Sequence, residues 1–135
     1  MKGVNLAQEI EIVIEKCALS NERNKLAKNL SGGNKRKLCL AMAIIGGSRI
    51  IFLDEPTSGM DPVSRKKIWD ILIQLKNEGK CLVLTTHHLD EAEILSERIA
   101  IMAKGKLLTI GSVDFVKKKF GIGYHLNLYN LSNGE

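Results

Sequence analysis

Apolar residues follow two kinds of pattern in this chain, one recurring every three or four positions and one running without a break. Leu6, Ile10, Val13, Ile14 and Cys17 recur at helical spacing behind Asn5, whose side chain can accept from a free N–H, so a capped helix is predicted there. Ser20 stands where it could cap a second, shorter helix reaching Leu26. Over residues 35–45 the spacing predicts a helix that turns Leu38, Ala41, Met42 and Ile45 inward and stops at Gly46-Gly47. Residues 49–54 and 81–85 are instead continuous apolar runs, the pattern of strands buried on both faces. Between them, Asp61-Pro62 has the chemistry of a helix start, and Ile68, Leu72 and Leu75 share one face of a helix ending at Gly79. A short acidic helix is expected over 90–95. Residues 98–102 and 107–110 flank Lys104-Gly105, a two-residue hairpin turn. Ser112 caps a helix to Phe120, and Tyr124, Leu126 and Leu128 alternate as a last strand. Strands alternating with helices predict an α/β fold, a parallel sheet closed by an antiparallel hairpin.

A length of 135 residues suits a single domain with a real core. At 44% hydrophobic and 26% charged the composition is that of an ordinary soluble protein. No apolar run approaches the roughly 20 residues that span a bilayer, and the segment after Met1 turns acidic and amphipathic too soon for a secretory leader. A membrane role would need an anchor from another segment or chain. Cys17, Cys39 and Cys81 lie in apolar periodic segments with no CxxC and no Cys/His cluster. They read as small buried hydrophobes in a reducing compartment, not as metal ligands. The net charge of +5 includes Lys117-Lys118-Lys119, which reads as a solvated helix face. The few aromatic residues do not interleave with basic ones as stacking platforms would, so no nucleic-acid partner is expected.

Two short stretches carry chemistry. Leu30-Ser31-Gly32-Gly33-Asn34 puts a hydroxyl and two bare amides just ahead of a helix, where free N–H groups and the helix dipole suit a phosphate. Taken alone, it reads better as a plain cap in which Ser31 serves its own chain. Twenty residues on, a strand stops at Asp54 and Glu55 before Pro56, delivering two carboxylates to the sheet edge where ligands of open α/β folds sit. A phosphate cradle with a carboxylate pair points to nucleotide chemistry with a hard cation. His87 follows the second strand at its C-terminal end. Its neighbour His88 leaves the pair ambiguous by chemistry alone, although on an extended chain the two rings would point opposite ways. His125 reads as an ordinary strand residue.

The order LSGGN, IIFLDEP, TSGMDP and TTHHLDEAE resembles the second half of an ATP-binding-cassette nucleotide-binding domain. The runs LSGGNKRKLCLAMAIIGGSRIIFLDEPTSGMDPVSRKKIWDIL, RIAIMAKGKLL and KKKFGIGYHLNL resemble the A subfamily of those transporters, mostly lipid movers. The resemblance implies a partial P-loop NTPase (RecA-like) sheet, with a helical signature region over 1–48. A core from the Walker B strand to the histidine loop would span 49–111, and a C-terminal extension would begin at 112–135. Two cassettes of the family pair head to tail. Ser31, Gly32, Gly33 and Asn34 would therefore meet the γ-phosphate of ATP held by a second nucleotide-binding domain. Asp54 would hold Mg²⁺ through water, Glu55 would act as general base, and His87, selected over His88 by the family's motif, would sense the γ-phosphate. Asp61 would lie in the loop linking the two sites. The implied activity is ATP binding and hydrolysis, energising transport of lipid with transmembrane domains at the cytoplasmic face of a membrane. The rival readings are a soluble cassette ATPase acting on nucleic acid or the ribosome, and a non-catalytic half-cassette. Ser58-Gly59-Met60-Asp61 and Thr86-His87-His88-Leu89 favour the transporter over translation factors of the family, which carry Asn-His-Leu-Asp and Ser-His-Asp there.

No Gly-Lys-Ser/Thr phosphate loop occurs in the 135 residues. The family's glutamine loop and adenine-stacking aromatic would also lie upstream of Met1, so the chain is expected to be the C-terminal part of a cassette with an uncovered sheet edge. A helix end attracts an anion by about 0.3–1 kcal/mol, against the roughly 8.2 kcal/mol of micromolar affinity. Titration of the purified 135 residues with a fluorescent ATP analogue should therefore show no saturable micromolar binding, and no phosphate should be released. Saturable binding or Mg²⁺-dependent turnover would contradict this.

Overall fold

A computed structural model describes residues 5–121, and the chain divides into two compact units, Met1–Leu95 and Ser96–Glu135. The first unit opens with α1 (Leu6–Lys16), where Asn5 Oδ1 accepts from the Ala7 N–H at 3.2 Å. Val13 and Cys17 face the core from this helix, while Leu6 stays exposed. The helix expected behind Ser20 is absent. Ser20–Glu22 and Ala27–Asn29 are single 3₁₀ turns, and Ser20 caps neither. Buried Leu19 and an Arg23–Glu11 ion pair tie this stretch back to α1 instead.

Helix α2 (Gly32–Ile44) starts three residues before the predicted 35 and ends where Gly46 and Gly47 take positive φ. Its packed stripe is Leu40, Ala41 and Ile44, with Leu38 and Ile45 half-buried; Met42, expected inside, is exposed. The apolar pattern is compatible with more than one stripe, and tertiary partners, α1 among them, select the one used. Helix α3 (Pro62–Asn77) matches its pattern closely: Ile68, Leu72 and Leu75 are all buried, joined by Ile71, and Gly79 takes the left-handed backbone beyond its end.

Strands β1 (Ile50–Asp54) and β2 (Cys81–Thr85) pair in parallel, from Ile50 opposite Cys81 to Asp54 opposite Thr85. Parallel partners share a face. Ile51 is buried and Leu53, Leu82 and Leu84 are half-buried against the core built from α1, α2 and α3. Ile50, Phe52, Cys81 and Val83 on the other face are exposed, which corrects the expectation of strands buried on both faces. Among the described residues only one face of this pair carries packed helices. The cysteine expectation is corrected with it. Cys17 is buried and its thiol is pushed up to about 11 by that burial, but Cys39 and Cys81 are exposed. Helix α4 (Leu89–Leu95) closes the unit.

In the second unit, β3 (Arg98–Ala103) and β4 (Lys106–Ser112) form an antiparallel hairpin. Lys104 and Gly105 both take positive φ, as a two-residue turn matched to strand twist requires. Ser112 Oγ accepts from the Phe115 N–H at 3.2 Å and opens α5 (Val113–Phe120). The strand expected at Tyr124, Leu126 and Leu128, with His125, lies outside the described residues. The fold is α/β, a parallel strand pair among helices and an antiparallel hairpin. No helix among the described residues is long and apolar enough to cross a membrane.

Candidate functional site

Asp54 and Thr85 end their strands side by side, and the chain beyond each is held by the other. The Thr85 hydroxyl donates to Asp54 Oδ1 and accepts from the Glu55 N–H, and that N–H also reaches the Thr85 carbonyl at 3.2 Å. The strand ladder therefore continues one residue past β1. Glu55 then turns with φ +48, in the left-handed region that a side chain enters only at a cost of about 1–3 kcal/mol. Its carbonyl accepts from Ser58 N–H at 3.2 Å, closing the turn. Strain of this kind aims the carboxylate away from the strand direction and toward the end of β2.

There His87 sits on a bend, with Nδ1 2.8 Å from Glu55 Oε2. Asp54, Glu55, Thr85 and His87 thus form one group at the C-terminal ends of two parallel strands. His88 does not turn away as an extended chain would require. Residues 86–88 have left the strand, and the two rings lie 4.1 Å apart at 37°. What separates them is the carboxylate contact of His87. Thr85 was missed in the sequence because it reads as the last residue of an apolar run. Only the register reveals its two-sided hydroxyl.

Asp54 offers one carboxylate, a hard oxygen donor, at the end of β1. Among the described residues no group of three or more His, Cys, Asp or Glu side chains forms a metal cage. A single carboxylate at a strand end suits Mg²⁺, which keeps waters and phosphate oxygens for its other positions.

Ser31 caps α2, its Oγ accepting from the Asn34 N–H at 3.2 Å, so the plain cap is present. The two glycines after it are not explained that way. Neither needs a positive φ; a Cβ on Gly32 would meet nothing within 4 Å, and one on Gly33 would make ordinary contact with Met60 Cε at 3.6 Å. Asp61 caps α3, Oδ1 accepting from the Ser64 N–H at 2.9 Å. Gly32, Gly33, Arg36, Gly59 and Asp61 line one hollow of about 180 Å³, so the LSGG turn and the Asp61 loop are neighbours. Asp54, Glu55 and His87 are not in its walls.

A second polar group lies under the carboxylate turn and was not anticipated. Glu91 and Thr57 are wholly buried; Glu91 Oε1 accepts from Thr57 Oγ1 at 2.8 Å and from Trp69 Nε1 at 3.0 Å. In sequence Glu91 looks like one more acid of a surface helix.

The family model described as ABC transporter matches residues 4–58. ABC transporter A family member 6 of Dictyostelium discoideum is 51% identical over 99% of this chain, which covers 8% of that protein. Phospholipid-transporting ATPase ABCA3 of Rattus norvegicus is 47% identical over 95% of this chain, again 8% of its length. The chain therefore spans under a tenth of these relatives. In structure it is similar to the ADP conformation of an ATP-binding cassette of an ABC transporter. That match has a TM-score of 0.77 at 23% identity and covers 88% of this chain and 47% of the cassette.

The cap of α3 has a pH signature. Hydrogen bonds from Ser64, its hydroxyl first and then its N–H, hold the Asp61 carboxyl below its ordinary value of 3.8. A depressed folded value contributes stability that is complete above the unfolded value and lost as pH falls through the folded one. In denaturant titrations, wild type should exceed Asp61→Asn, which keeps the acceptor without the charge, at pH 6, and the two should converge toward pH 2. A gap that stays constant with pH would contradict the charged cap.

Proposed function

The chain belongs to the ABC transporter family, in its A subfamily, and from that premise we propose that it supplies the hydrolytic carboxylates, the sensor histidine and the trans signature of an ATPase site. The observation that carries the reading is the meeting of Asp54, Glu55 and His87 at the ends of β1 and β2. Glu55 accepts a proton from the water that attacks the γ-phosphate, and its carboxylate is aimed by its own strained backbone and by the N–H bonds to Thr85. His87, fixed against Glu55 on one side, presents its other ring nitrogen outward to the transferred phosphate. Asp54, oriented by the Thr85 hydroxyl, would hold Mg²⁺ through water, and the cation would supply charge neutralisation for the phosphates.

Ser31, Gly32, Gly33 and Asn34 act on a nucleotide held by a second nucleotide-binding domain. Gly32 supports this, since nothing in its own fold asks for glycine while close approach of a phosphate to the backbone does. Asp61, beside that turn, links the two sites of the head-to-tail pair. The domain reading goes with it: a signature region over 1–48, the catalytic core over 49–111 and the start of an extension over 112–135. ATP-driven movement of lipid, through transmembrane domains at the cytoplasmic face of a membrane, is the activity that the named relatives suggest.

Glu55→Gln in the complete cassette tests the reading. Removing a positioned general base costs about 10²–10⁴ in rate, so the variant should hold ATP with little turnover, measured as phosphate release beside nucleotide retention. Hydrolysis near the wild-type rate would sink the assignment.

A further inference from the structure

We infer that Glu91 is a positioning residue for the Glu55–His87 pair, acting through Thr57 and resting on the function proposed above. Thr57 lies two residues after Glu55, in the turn closed by the Ser58 N–H to Glu55 carbonyl bond. Its side chain points inward, and its hydroxyl ends on Glu91 Oε1. Glu91 lies on α4, whose first residue is two positions after His87. One carboxylate oxygen therefore fastens the turn that carries Glu55 to the helix that follows His87. Trp69 on α3 donates to the same oxygen, which gives the junction a third, rigid support.

The surroundings hold the junction in one arrangement. The Arg65 guanidinium lies over the Trp69 ring at 5.3 Å and donates to Asp90 Oδ2 at 2.7 Å, clamping the indole beside Glu91. Glu91 Oε2 is buried without a hydrogen-bond partner among the described residues. A buried carboxylate that uses one oxygen for two donors and leaves the other bare is a poor way to stabilise a core, because an apolar side chain of similar volume would fill the space without the desolvation cost. What it does provide is direction: two donors converging on one acceptor fix the turn relative to α4 in a way that apolar packing does not. Glu91 touches no reacting atom. Its effect is the distance between a base and a histidine that a turn strained at Glu55 would otherwise let drift.

The test is made in the complete cassette with Thr57→Val, Glu91→Ala and Glu91→Gln, beside Glu55→Gln as reference. Thr57→Val keeps shape and removes only the donor, so it remains informative if Glu91→Ala fails to fold. Displacement of catalytic groups by about an ångström can cost up to 10²-fold. Thr57→Val should lower kcat by about tenfold or more with KM for ATP within about twofold, and Glu91→Gln, which keeps the acceptor, should retain most of the turnover. In the nucleotide-free protein with ¹³C-labelled histidine, Thr57→Val should also shift the His87 ring signals, although the two side chains do not touch. A merely structural junction would lower the melting temperature alone, leaving kcat at an assay temperature well below it and the His87 signals unchanged. That result would overturn the inference. If Glu55→Gln itself retains turnover, the proposed function has failed instead; if Glu55→Gln is inactive and Thr57→Val is normal, only the role of Glu91 has.

Discussion

The structure of the site depends on the parallel pairing of two five-residue strands in one register. With Asp54 opposite Thr85, the backbone bonds run to the strand ends and one step beyond, into the Glu55 N–H. Side chains alternate along a strand, so a slip of one residue would exchange the faces. Asp54 would move to the side now filled by Ile51 and Leu53, and the carboxylate would face the core. The register is protected by the same alternation, because Ile51, Leu53, Leu82 and Leu84 all need to meet α2 and α3. Packing on one face thus positions chemistry on the other.

Beyond the strands, the group is built from two departures from regular structure. Glu55 leaves β1 through a left-handed turn, and His87 leaves β2 through a bend. The left-handed conformation of Glu55 is unfavourable by itself. Each departure is stabilised by contacts to the other segment: Thr85 with Glu55, His87 with Glu55, and Glu91 with Thr57. The two loops therefore hold each other, which places Glu55 and His87 within hydrogen-bond reach.

Much of this was legible in the sequence where the signal is local. The caps at Asn5, Ser31, Asp61 and Ser112 appear where their side chains can reach the first free N–H groups. The stripe on α3 and the Lys104-Gly105 turn follow from periodicity and from φ preference, and the carboxylates and His87 fall at strand ends as their motifs imply. What was not legible depends on distant partners. Met42 and Leu40 are equally apolar, and only the neighbouring helices decide which is buried. Ser20 is a good cap for a helix that its surroundings do not allow. The face with Phe52 and Val83 reads as buried in the apolar run, whereas among the described residues no helix packs on it. Thr57 and Glu91 are 34 residues apart, and no pattern along the chain joins a turn threonine to a helix acid.

The central claim is that Glu55 and His87 work as one unit at the end of the strand pair. A double-mutant cycle on turnover in the complete cassette tests it most directly, with Glu55→Gln, His87→Ala and the double variant compared with wild type. Groups acting as a unit are strongly non-additive. The double variant should be about as slow as the slower single one. A double variant slowed by the product of the two single effects would show that the two side chains act independently, and would contradict the claim.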